Sequence, residues 1–366
     1  MVRVGNNESA QIPQETKSCC KRADKGFLIK DCSYMGVERK YLVTGGSGFI
    51  GSALVHRLVQ EGYRVRIFDN QARGSLERLK DLGDDIEIVA ADIRDKKAVA
   101  EACRGVDSVI HLAYINGTEF FYSQPELVLD VGVKGIVNVM DACLETGIKE
   151  LILASSSEVY QTPSVVPTDE TTGFSIPDPM NPRYSYAAGK IISEMMAINY
   201  GRKSFERVVI FRPHNVYGPN MGWEHVIPQF ALRMRALVRD SSGKRISFPI
   251  QGTGEETRAF VYIDDFIDGV MLLLGKGKHL GIYHIGTQEE ISIKKLAIEA
   301  GKYFSKEVHV VASAPAKGGT ARRCPNISKM QLLGYQPKFK LRDGLPKALR
   351  WYDEHAGQAP ERLLVR

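Results

Sequence analysis

From residue 39 onwards, short apolar runs alternate with longer stretches in which apolar residues recur every three or four positions. The short runs, such as Ser108–Leu112 and Glu150–Ala154, predict strands buried on both faces, and the longer stretches predict amphipathic helices. The predicted elements are strand Lys40–Thr44, helix Ile50–Gln60, strand Arg64–Phe68, a helical stretch at Leu76–Leu82, strand Ile86–Val89, helix Lys96–Cys103, strand Ser108–Leu112, a long helix within Glu126–Glu145 and strand Glu150–Ala154. This alternation predicts an α/β fold with a doubly wound parallel sheet.

The alternation weakens in the second half of the chain. A proline-rich connection leads to a helix that carries Tyr186 and runs to about Tyr200, and Arg207–Phe211 is a further buried strand. Beyond residue 218, glycine and proline punctuate short elements. We therefore expect a nucleotide-binding domain at 39–217 and a smaller C-terminal substrate lobe, mainly 218–366, that returns in part to the sheet.

The first 38 residues have a different composition. Residues 1–34 are polar, include several acids and hold no apolar core segment, which predicts a disordered tail. They do not resemble a secretory signal or a transit peptide. Met35 lies just before the first strand, so we interpret it as a plausible true start.

Composition narrows the function classes. The chain has 366 residues, 43% of them hydrophobic, and a net charge of +6. The basic residues are dispersed without a nucleic-acid motif, so the surplus favours an anionic small molecule over a nucleic acid. Neither the six cysteines nor the eight histidines show metal-ligand spacing, and we expect no metal. Scattered cysteines favour a reducing, cytoplasmic setting, and no apolar run approaches the ~20 residues of a membrane span.

A glycine-rich turn, Thr44–Gly51, separates the first strand from the first helix. Free N–H groups at a helix N-terminus attract a diphosphate, and glycines let the phosphates approach the backbone. Asp69 ends the next strand about 20 residues later, where an acid binds ribose hydroxyls and favours NAD over NADP. Arg73 could soften that preference, and Asp92 could bind an adenine amino group or cap the following helix.

Tyr186 and Lys190 lie four residues apart and therefore share one helix face. A nearby ammonium favours the ionised phenol, so we expect Lys190 to lower the pKa of Tyr186 and make it a base. The strand Glu150–Ala154 ends in three serines followed by Glu158. Ser156 is the expected hydrogen-bonding partner of the reacting oxygen.

Together, the glycine turn, the serine-ended strand and the Tyr-x-x-x-Lys spacing resemble the extended short-chain dehydrogenase/reductase family, in particular its sugar-nucleotide epimerases and dehydratases. The resemblance covers roughly residues 39–352 and includes His111-Leu-Ala113, the stretch from Arg212 to Gly218 and the segment 251–264. It implies a Rossmann fold, retained NAD, a nucleoside diphosphate sugar as substrate and a homodimer built on the long helix and the Tyr186 helix.

The motifs and the resemblance together give a set of expected site residues. Catalytic roles fall to Ser156, Glu158, Tyr186 and Lys190. The expected NAD contacts are Gly45, Gly48, Phe49, Ile50, Gly51, Asp69, Asn70, Arg73, Asp92, Ile93, Leu112, Ala113, Tyr114, Tyr186, Lys190, Pro213 and Val216. The expected substrate contacts are Ser157, Asn215, Val226, Arg258 and Arg322, with Arg323 as the alternative second cation. The sequence departs from the family in the stretch that holds Gly132 and Ile136, where an Asn before Gly-Thr is common, and at Tyr114, where a small residue is usual.

The resemblance implies a shared first step, in which Tyr186 takes the proton of the sugar 4-hydroxyl and a 4-ketone forms. The role of Glu158 distinguishes the possible later steps. Simple 4-epimerisation needs no further base, and this is the main interpretation. With Glu158 as a base at C5, the alternative is a 4,6-dehydratase or a UDP-glucuronate-type decarboxylase. Ser157 is a poor acid for expelling the C6 hydroxyl in a dehydration. An NADP-dependent ketone reductase is a further alternative, against which Asp69, Asn215 and Arg258 argue.

Overall fold

The computed structural model describes residues 39–240, 243–314 and 318–364. The predicted tail at 1–38 and the proposed start at Met35 lie outside these residues. The main sheet contains β1 (Lys40–Thr44), β2 (Arg64–Phe68), β3 (Ile86–Val89), β4 (Ser108–His111), β5 (Glu150–Ala154), β6 (Arg207–Pro213) and β11 (Gly281–Ile285). All of its strand pairs are parallel, in the order β11-β6-β5-β4-β1-β2-β3. The doubly wound parallel sheet is therefore confirmed.

Three smaller sheets build much of the C-terminal part. Their strands are β7 (Val216–Tyr217) with β10 (Val261–Tyr262), β8 (Arg245–Gln251) with β13 (Glu307–Ser313), and β9 (Thr257–Ala259) between β12 (Glu290–Ser292) and β14 (Arg322–Arg323). Strand β11 lies at the edge of the main sheet, beside β6. This late return to the sheet agrees with the interleaving that the sequence predicts, whereas the boundary near residue 217 stays a prediction.

Helices cover both faces of the main sheet. The helices of the described residues are α1 (Phe49–Gln60), α2 (Lys96–Cys103), α3 (Thr118–Ser123), α4 (Pro125–Thr146), α5 (Ser185–Ser204), α6 (Val226–Asp240), α7 (Ile263–Lys276), α8 (Ile293–Tyr303), α9 (Ser328–Gln331), α10 (Leu341–Glu354) and α11 (Glu361–Leu364). Within the described ranges, none of the helices has the length and apolar character to cross a membrane.

The core divides into two apolar layers because successive strand residues point to opposite faces. Val43 and Ile110 belong to the layer that contains α1 and α7, whereas Leu42 and Val109 belong to the layer that contains α2, α4 and α5. All four side chains are fully buried. The sheet is thus covered on both sides, and its strands read as continuous apolar runs for that reason.

The chain reverses its direction of travel across the sheet at β1, because β2 and β3 lie on one side of it and β4, β5 and β6 on the other. In open parallel sheets, ligands bind beyond the carboxyl ends of the strands at such a switch point.

Candidate active site

A cavity of about 490 Å³ lies beyond the carboxyl ends of the central strands. Loops after β1, β2, β4, β5 and β6 line it, together with residues of the C-terminal part. Every residue that the sequence analysis expects at the site lines this cavity except Asp92 and Arg322. The sequence motifs therefore converge on one place.

The glycine turn after β1 is shaped for close contact with a ligand. Gly45 has a φ of +73°, and a Cβ there would lie 2.8 Å from the backbone nitrogen of Ala113. A Cβ at Gly51 would lie 2.1 Å from the carbonyl oxygen of Gly45. Helix α1 starts at Phe49, and its N-terminus faces the cavity wall formed by Gly48 and Phe49. These residues fit a dinucleotide, since the first N–H groups of α1 have no intrahelical acceptor and the glycines carry no side chain that would obstruct a diphosphate.

Asp69 lies at the end of β2 and is fixed by the backbone. Its carboxylate accepts hydrogen bonds from the N–H groups of Ser47 (3.0 Å) and Gln71 (2.7 Å). Arg73, which also lines the cavity, forms an ion pair with Glu224 at 3.2 Å. The charge of Arg73 is thus already compensated in this structure, which weakens its ability to attract a 2′-phosphate.

Asp92 lies outside the cavity, while its neighbour Ile93 lines it. The side chain of Arg94 donates two hydrogen bonds to the Asp92 carboxylate, at 2.9 and 2.8 Å, its backbone N–H donates a third at 2.9 Å, and Asn70 donates a fourth at 3.0 Å. The bonds from Arg94 lower the pKa of Asp92 to about 2. Asp95, rather than Asp92, is the N-cap of α2, and its carboxylate accepts hydrogen bonds from two N–H groups of the first helical turn. Contact of Asp92 with adenine therefore remains a prediction.

Tyr186, Ser156 and Lys190 meet at the inner end of the cavity. The Tyr186 hydroxyl is hydrogen-bonded to Ser156, and Lys190 Nζ donates to the carbonyl oxygen of Ala154 at 2.7 Å. Tyr186 and Lys190 are buried on α5. Ser156 lies two residues after the end of β5, so the sheet and one helix bring the three side chains together.

The expected effect of Lys190 on Tyr186 is not found. Burial raises the pKa of Tyr186 above its ordinary value, and the hydrogen bond from Ser156 opposes this only in part. The ammonium of Lys190 lies closer to Tyr114, 4.1 Å from its ring centroid, than to Tyr186, whose ring centroid is 5.9 Å away, and it donates to the carbonyl oxygen of Ala154. Burial lowers the pKa of Lys190 to about 7. The role of Tyr186 as a base assisted by Lys190 therefore stays a prediction, which the burial of the two groups in the cofactor-free protein does not by itself support.

Glu158 lies among three arginines. Arg323 Nη1 is 2.6 Å from a Glu158 carboxylate oxygen, and Arg183 Nη2 is 3.6 Å from the same oxygen. Burial acts to raise the pKa of Glu158, but the charges of the surrounding guanidinium groups outweigh it and lower the pKa to about 2. Glu158 is therefore an ionised, paired carboxylate rather than a free base.

This cluster, formed by Arg183, Arg258, Arg323 and Glu158, carries more positive than negative charge. Arg183 and Arg323 each leave a buried Nε without a hydrogen-bond partner among the described residues. Burial, followed by the charge of Arg323, lowers the pKa of Arg258 to about 10. Unpaired buried N–H donors and surplus positive charge favour an anionic ligand at this end of the cavity.

Arg322 and Arg323 follow each other on β14, so their side chains point to opposite faces. Arg323 points into the cavity, whereas Arg322 lies on the surface and forms a bidentate pair with Glu290 at 2.7 and 2.9 Å. The structure thus assigns the inward position to Arg323. Contact of Arg322 with substrate is not supported by its position.

Asn215 and Arg183 complete the wall. Asn215 adopts a φ of +43°, which asparagine tolerates well, and its amide donates to the carbonyl oxygen of Ala259 at 3.1 Å. Sequence reasoning missed Arg183, which lies in a single helical turn just before α5. Its position three residues before Tyr186 could have indicated from the sequence alone that Arg183 lies near the site.

The fold and the cavity define a Rossmann-type protein whose cavity is lined by a Tyr–Lys pair. Residues 41–286 match the model of the NAD dependent epimerase/dehydratase family. The chain belongs to this family, whose enzymes use NAD and act on nucleotide sugars.

Three similar proteins have different activities by their names. UDP-glucuronic acid decarboxylase 6 of Arabidopsis thaliana is 31% identical over 87% of this chain and 90% of its own length. The dTDP-glucose 4,6-dehydratase DesIV of Streptomyces venezuelae, solved with NAD, superposes with a TM-score of 0.77 at 29% identity, covering 88% of this chain and 99% of that one. UDP-glucose 4-epimerase of Thermotoga maritima, solved with UDP-glucose, gives a TM-score of 0.76 at 26% identity, covering 87% and 99%.

Proposed function

We propose that this protein is a decarboxylase of a nucleoside diphosphate uronic acid that acts through transient oxidation at C4. The observation that carries the proposal is the cluster of Arg183, Arg258 and Arg323 around Glu158, beside Tyr186. A uronic acid brings a carboxylate at C6 in addition to its diphosphate. The curated relative from Arabidopsis, which acts on UDP-glucuronic acid by its name, supports the same substrate class.

The charge of the cluster fits such a substrate better than a neutral sugar. Three guanidinium groups face one carboxylate, and the two unpartnered Nε donors are buried. Guanidinium groups bind carboxylates and phosphates through paired, charge-assisted hydrogen bonds. We assign Arg258 and Asn215 to the diphosphate, and Arg183 and Arg323 to the sugar carboxylate.

The first chemical step uses the residues of α5 and β5. NAD, when bound, supplies a reversible acceptor for the C4 hydride. Tyr186 takes the proton of the C4 hydroxyl, and Ser156 holds the same oxygen. Lys190 is placed to bind the cofactor ribose, as the family resemblance implies.

The second step depends on the position of the new ketone. A C4 ketone is β to the C6 carboxylate, so the electron pair of the C5–C6 bond can move towards the ketone as carbon dioxide leaves. Tyr186 and Ser156 stabilise the resulting enolate oxygen. Protonation at C5 restores the ketone, and return of the hydride to C4 gives a pentose nucleotide without net oxidation.

Glu158 positions groups in this scheme and does not transfer a proton. A carboxyl group with a pKa of about 2 stays ionised at neutral pH and is a weak base. Dehydration is disfavoured for the same reason, since it needs a base at C5 and an acid at C6. Epimerisation at C4, the main interpretation of the sequence, remains the second candidate because a paired Glu158 is compatible with simple hydride return.

The test is mass spectrometry of UDP-glucuronate and UDP-glucose, each incubated with the enzyme in heavy water. We expect UDP-glucuronate to lose carbon dioxide and to gain one deuterium at C5, and UDP-glucose to stay unchanged. Conversion of UDP-glucose without deuterium would establish an epimerase, and loss of water would establish a dehydratase; either result refutes decarboxylation. A Tyr186→Phe enzyme is the control and should convert neither sugar.

We also propose a homodimer. Helices α4 and α5 pack together and expose the apolar side chains Val137, Leu144, Ile192, Met195 and Tyr200. Large apolar side chains gathered on two neighbouring helices favour association with another surface. We further propose a cytoplasmic location, supported by the free, buried thiols of Cys103 and Cys143.

A further inference from the structure

Tyr114 fills a slot between two helices beside the catalytic lysine. It follows β4 in the chain, and its hydroxyl is buried between Gly132 of α4 and Gly189 of α5. A Cβ at Gly132 would lie 2.1 Å from the Tyr114 hydroxyl oxygen, and a Cβ at Gly189 would lie 2.0 Å from it. Any side chain larger than hydrogen at either position would therefore displace the ring.

The slot directs the ring of Tyr114 at both members of the catalytic pair. Its face lies over Lys190 Nζ, 4.1 Å from the ring centroid. Its ring meets that of Tyr186 in an edge-to-face contact, with centroids 5.0 Å apart and planes at 81°. Phe121 stacks against Tyr186 at 4.8 Å and 22°. Tyr186 is thus held between two aromatic rings, one of which also covers the lysine.

The hydroxyl of Tyr114 contributes no hydrogen bond within the described residues. A buried hydroxyl without a partner is a cost rather than a gain. The useful part of the side chain is therefore its ring, whose negative face attracts a desolvated ammonium.

We propose that Tyr114 is a positioning residue that holds Lys190 and Tyr186 in their working arrangement through the face and the ring packing of its aromatic side chain. Gly132 and Gly189 leave room for the ring of Tyr114. The face of this ring helps Lys190 to keep its charge in the buried site. This role does not depend on the net reaction, because oxidation at C4 uses the same pair for every candidate activity.

The groups around Lys190 set the direction of the expected change. Glu194, on the same helix, acts to raise the pKa of Lys190, and burial lowers it to about 7. His111, at the end of β4, is neutral because burial lowers its pKa to about 3. Tyr186 is also neutral, since burial raises its pKa. The ring face of Tyr114 stabilises the charged form of Lys190 and so opposes the effect of burial. Without this attraction, the pKa of Lys190 should fall further.

The experiment changes the ring's electrostatics while keeping its shape. Tyr114→Phe keeps the negative ring face, whereas pentafluorophenylalanine at position 114 reverses it. The NMR shift of the ¹³Cε of Lys190 is followed against pH in cofactor-free protein and is assigned by its absence in Lys190→Arg. We expect Tyr114→Phe to keep the wild-type midpoint and the fluorinated ring to lower it by roughly one pH unit. An unchanged or raised midpoint with the fluorinated ring would overturn the proposal.

A second variant tests the slot without altering Tyr114. Gly132→Ala forces the ring to move, so it should lower the Lys190 midpoint and shift the alkaline limb of the kcat/KM profile in the same direction, because Lys190 works in its charged form. Gly275→Ala is the matched control, because Gly275 also lies in a helix and a Cβ there meets no atom within 4 Å. A Gly132→Ala protein that folds and titrates like Gly275→Ala would refute the assigned role.

Discussion

The two adjacent arginines of β14 allow a paired test of the cluster around Glu158. Arg323→Gln removes the guanidinium that lies 2.6 Å from the Glu158 carboxylate. Arg322→Gln removes an equal charge one residue away, but from a surface pair with Glu290. The side chain of Arg322 is 52% exposed and that of Arg323 is 8% exposed. The two variants therefore share chemistry, strand and net charge and differ only in the face that they alter.

The magnitude can be worked from the pKa of Glu158. Burial acts to raise this pKa, yet the arginine charges, with Arg323 first among them, lower it from an ordinary 4.5 to about 2. The full depression corresponds to roughly 3 kcal/mol of folding free energy at neutral pH. Arg183 and Arg258 remain in the variant, so loss of Arg323 should remove about 2 kcal/mol, whereas Arg322→Gln should cost less than about 1 kcal/mol.

The sign of the pH dependence distinguishes this mechanism from a packing defect. A carboxyl group whose pKa is depressed on folding contributes stability that is present above its unfolded pKa. That contribution is lost as the pH falls through the folded value. The difference in the free energy of unfolding between wild type and Arg323→Gln should therefore have its full size above pH 4.5 and decrease between pH 4.5 and about 2. A packing defect would leave the gap constant.

The assay is urea unfolding followed by tryptophan fluorescence at pH 7 and pH 3, with conversion of the uronate measured at pH 7. We expect a gap of about 2 kcal/mol that falls to roughly 1 kcal/mol at pH 3. Turnover should fall roughly 10- to 100-fold for Arg323→Gln and stay near wild type for Arg322→Gln. Equal effects of the two variants, or a gap that does not change with pH, would refute the reasoning.

Three further predictions concern the frame of the site. Arg212→Met should destabilise the protein by about 3–5 kcal/mol in urea unfolding, because it leaves the fully buried Glu194 without its ion-pair partner; Arg245→Met, which breaks an exposed pair, should cost less than about 1 kcal/mol. Leu144→Glu should convert the proposed dimer to a monomer in light scattering, whereas Ile88→Glu, at an exposed apolar position on β3, should not. Asp69→Ser should raise the affinity for NADP relative to NAD in calorimetric titrations, since it removes the charge that repels a 2′-phosphate; an unchanged ratio would exclude Asp69 as the selecting residue.

The sheet was predictable because its signals are local. The predicted bounds Lys40–Thr44, Arg64–Phe68 and Ile86–Val89 coincide with β1, β2 and β3. Strands buried on both faces produce short apolar runs, and turns rich in glycine separate them from the helices. The C-terminal part was less predictable, since its strands are as short as two residues and pair over long distances. No periodicity can emerge from two residues.

The site also combines residues that are close in the sequence with residues that only the fold brings together. Tyr186 and Lys190 share one helix, so their spacing in the sequence already encodes their proximity. The positions of Arg183 and Tyr114 depend on neighbours from other elements, so the sequence could not predict the charges and rings that surround Lys190 and Glu158. Sequence spacing places Lys190 near Tyr186, but it cannot show that Ala154 and the ring of Tyr114 take up the ammonium.

If the proposed decarboxylation holds, the net reaction depends on long-range pairing rather than on the motifs. Strands β9 and β14 run parallel with Arg258 and Arg323 in register, and this pairing brings two arginines to Glu158 from distant parts of the chain. The Tyr–Lys pair and the glycine turn are common to enzymes that epimerise, dehydrate or decarboxylate, so they define only the shared oxidation at C4. In the proposed reaction, the charge that β14 and the turn before α5 add to the cavity would distinguish a substrate with an additional carboxylate. A variant that changes this charge while sparing Tyr186 should therefore alter which nucleotide sugar reacts before it alters the ability to oxidise one.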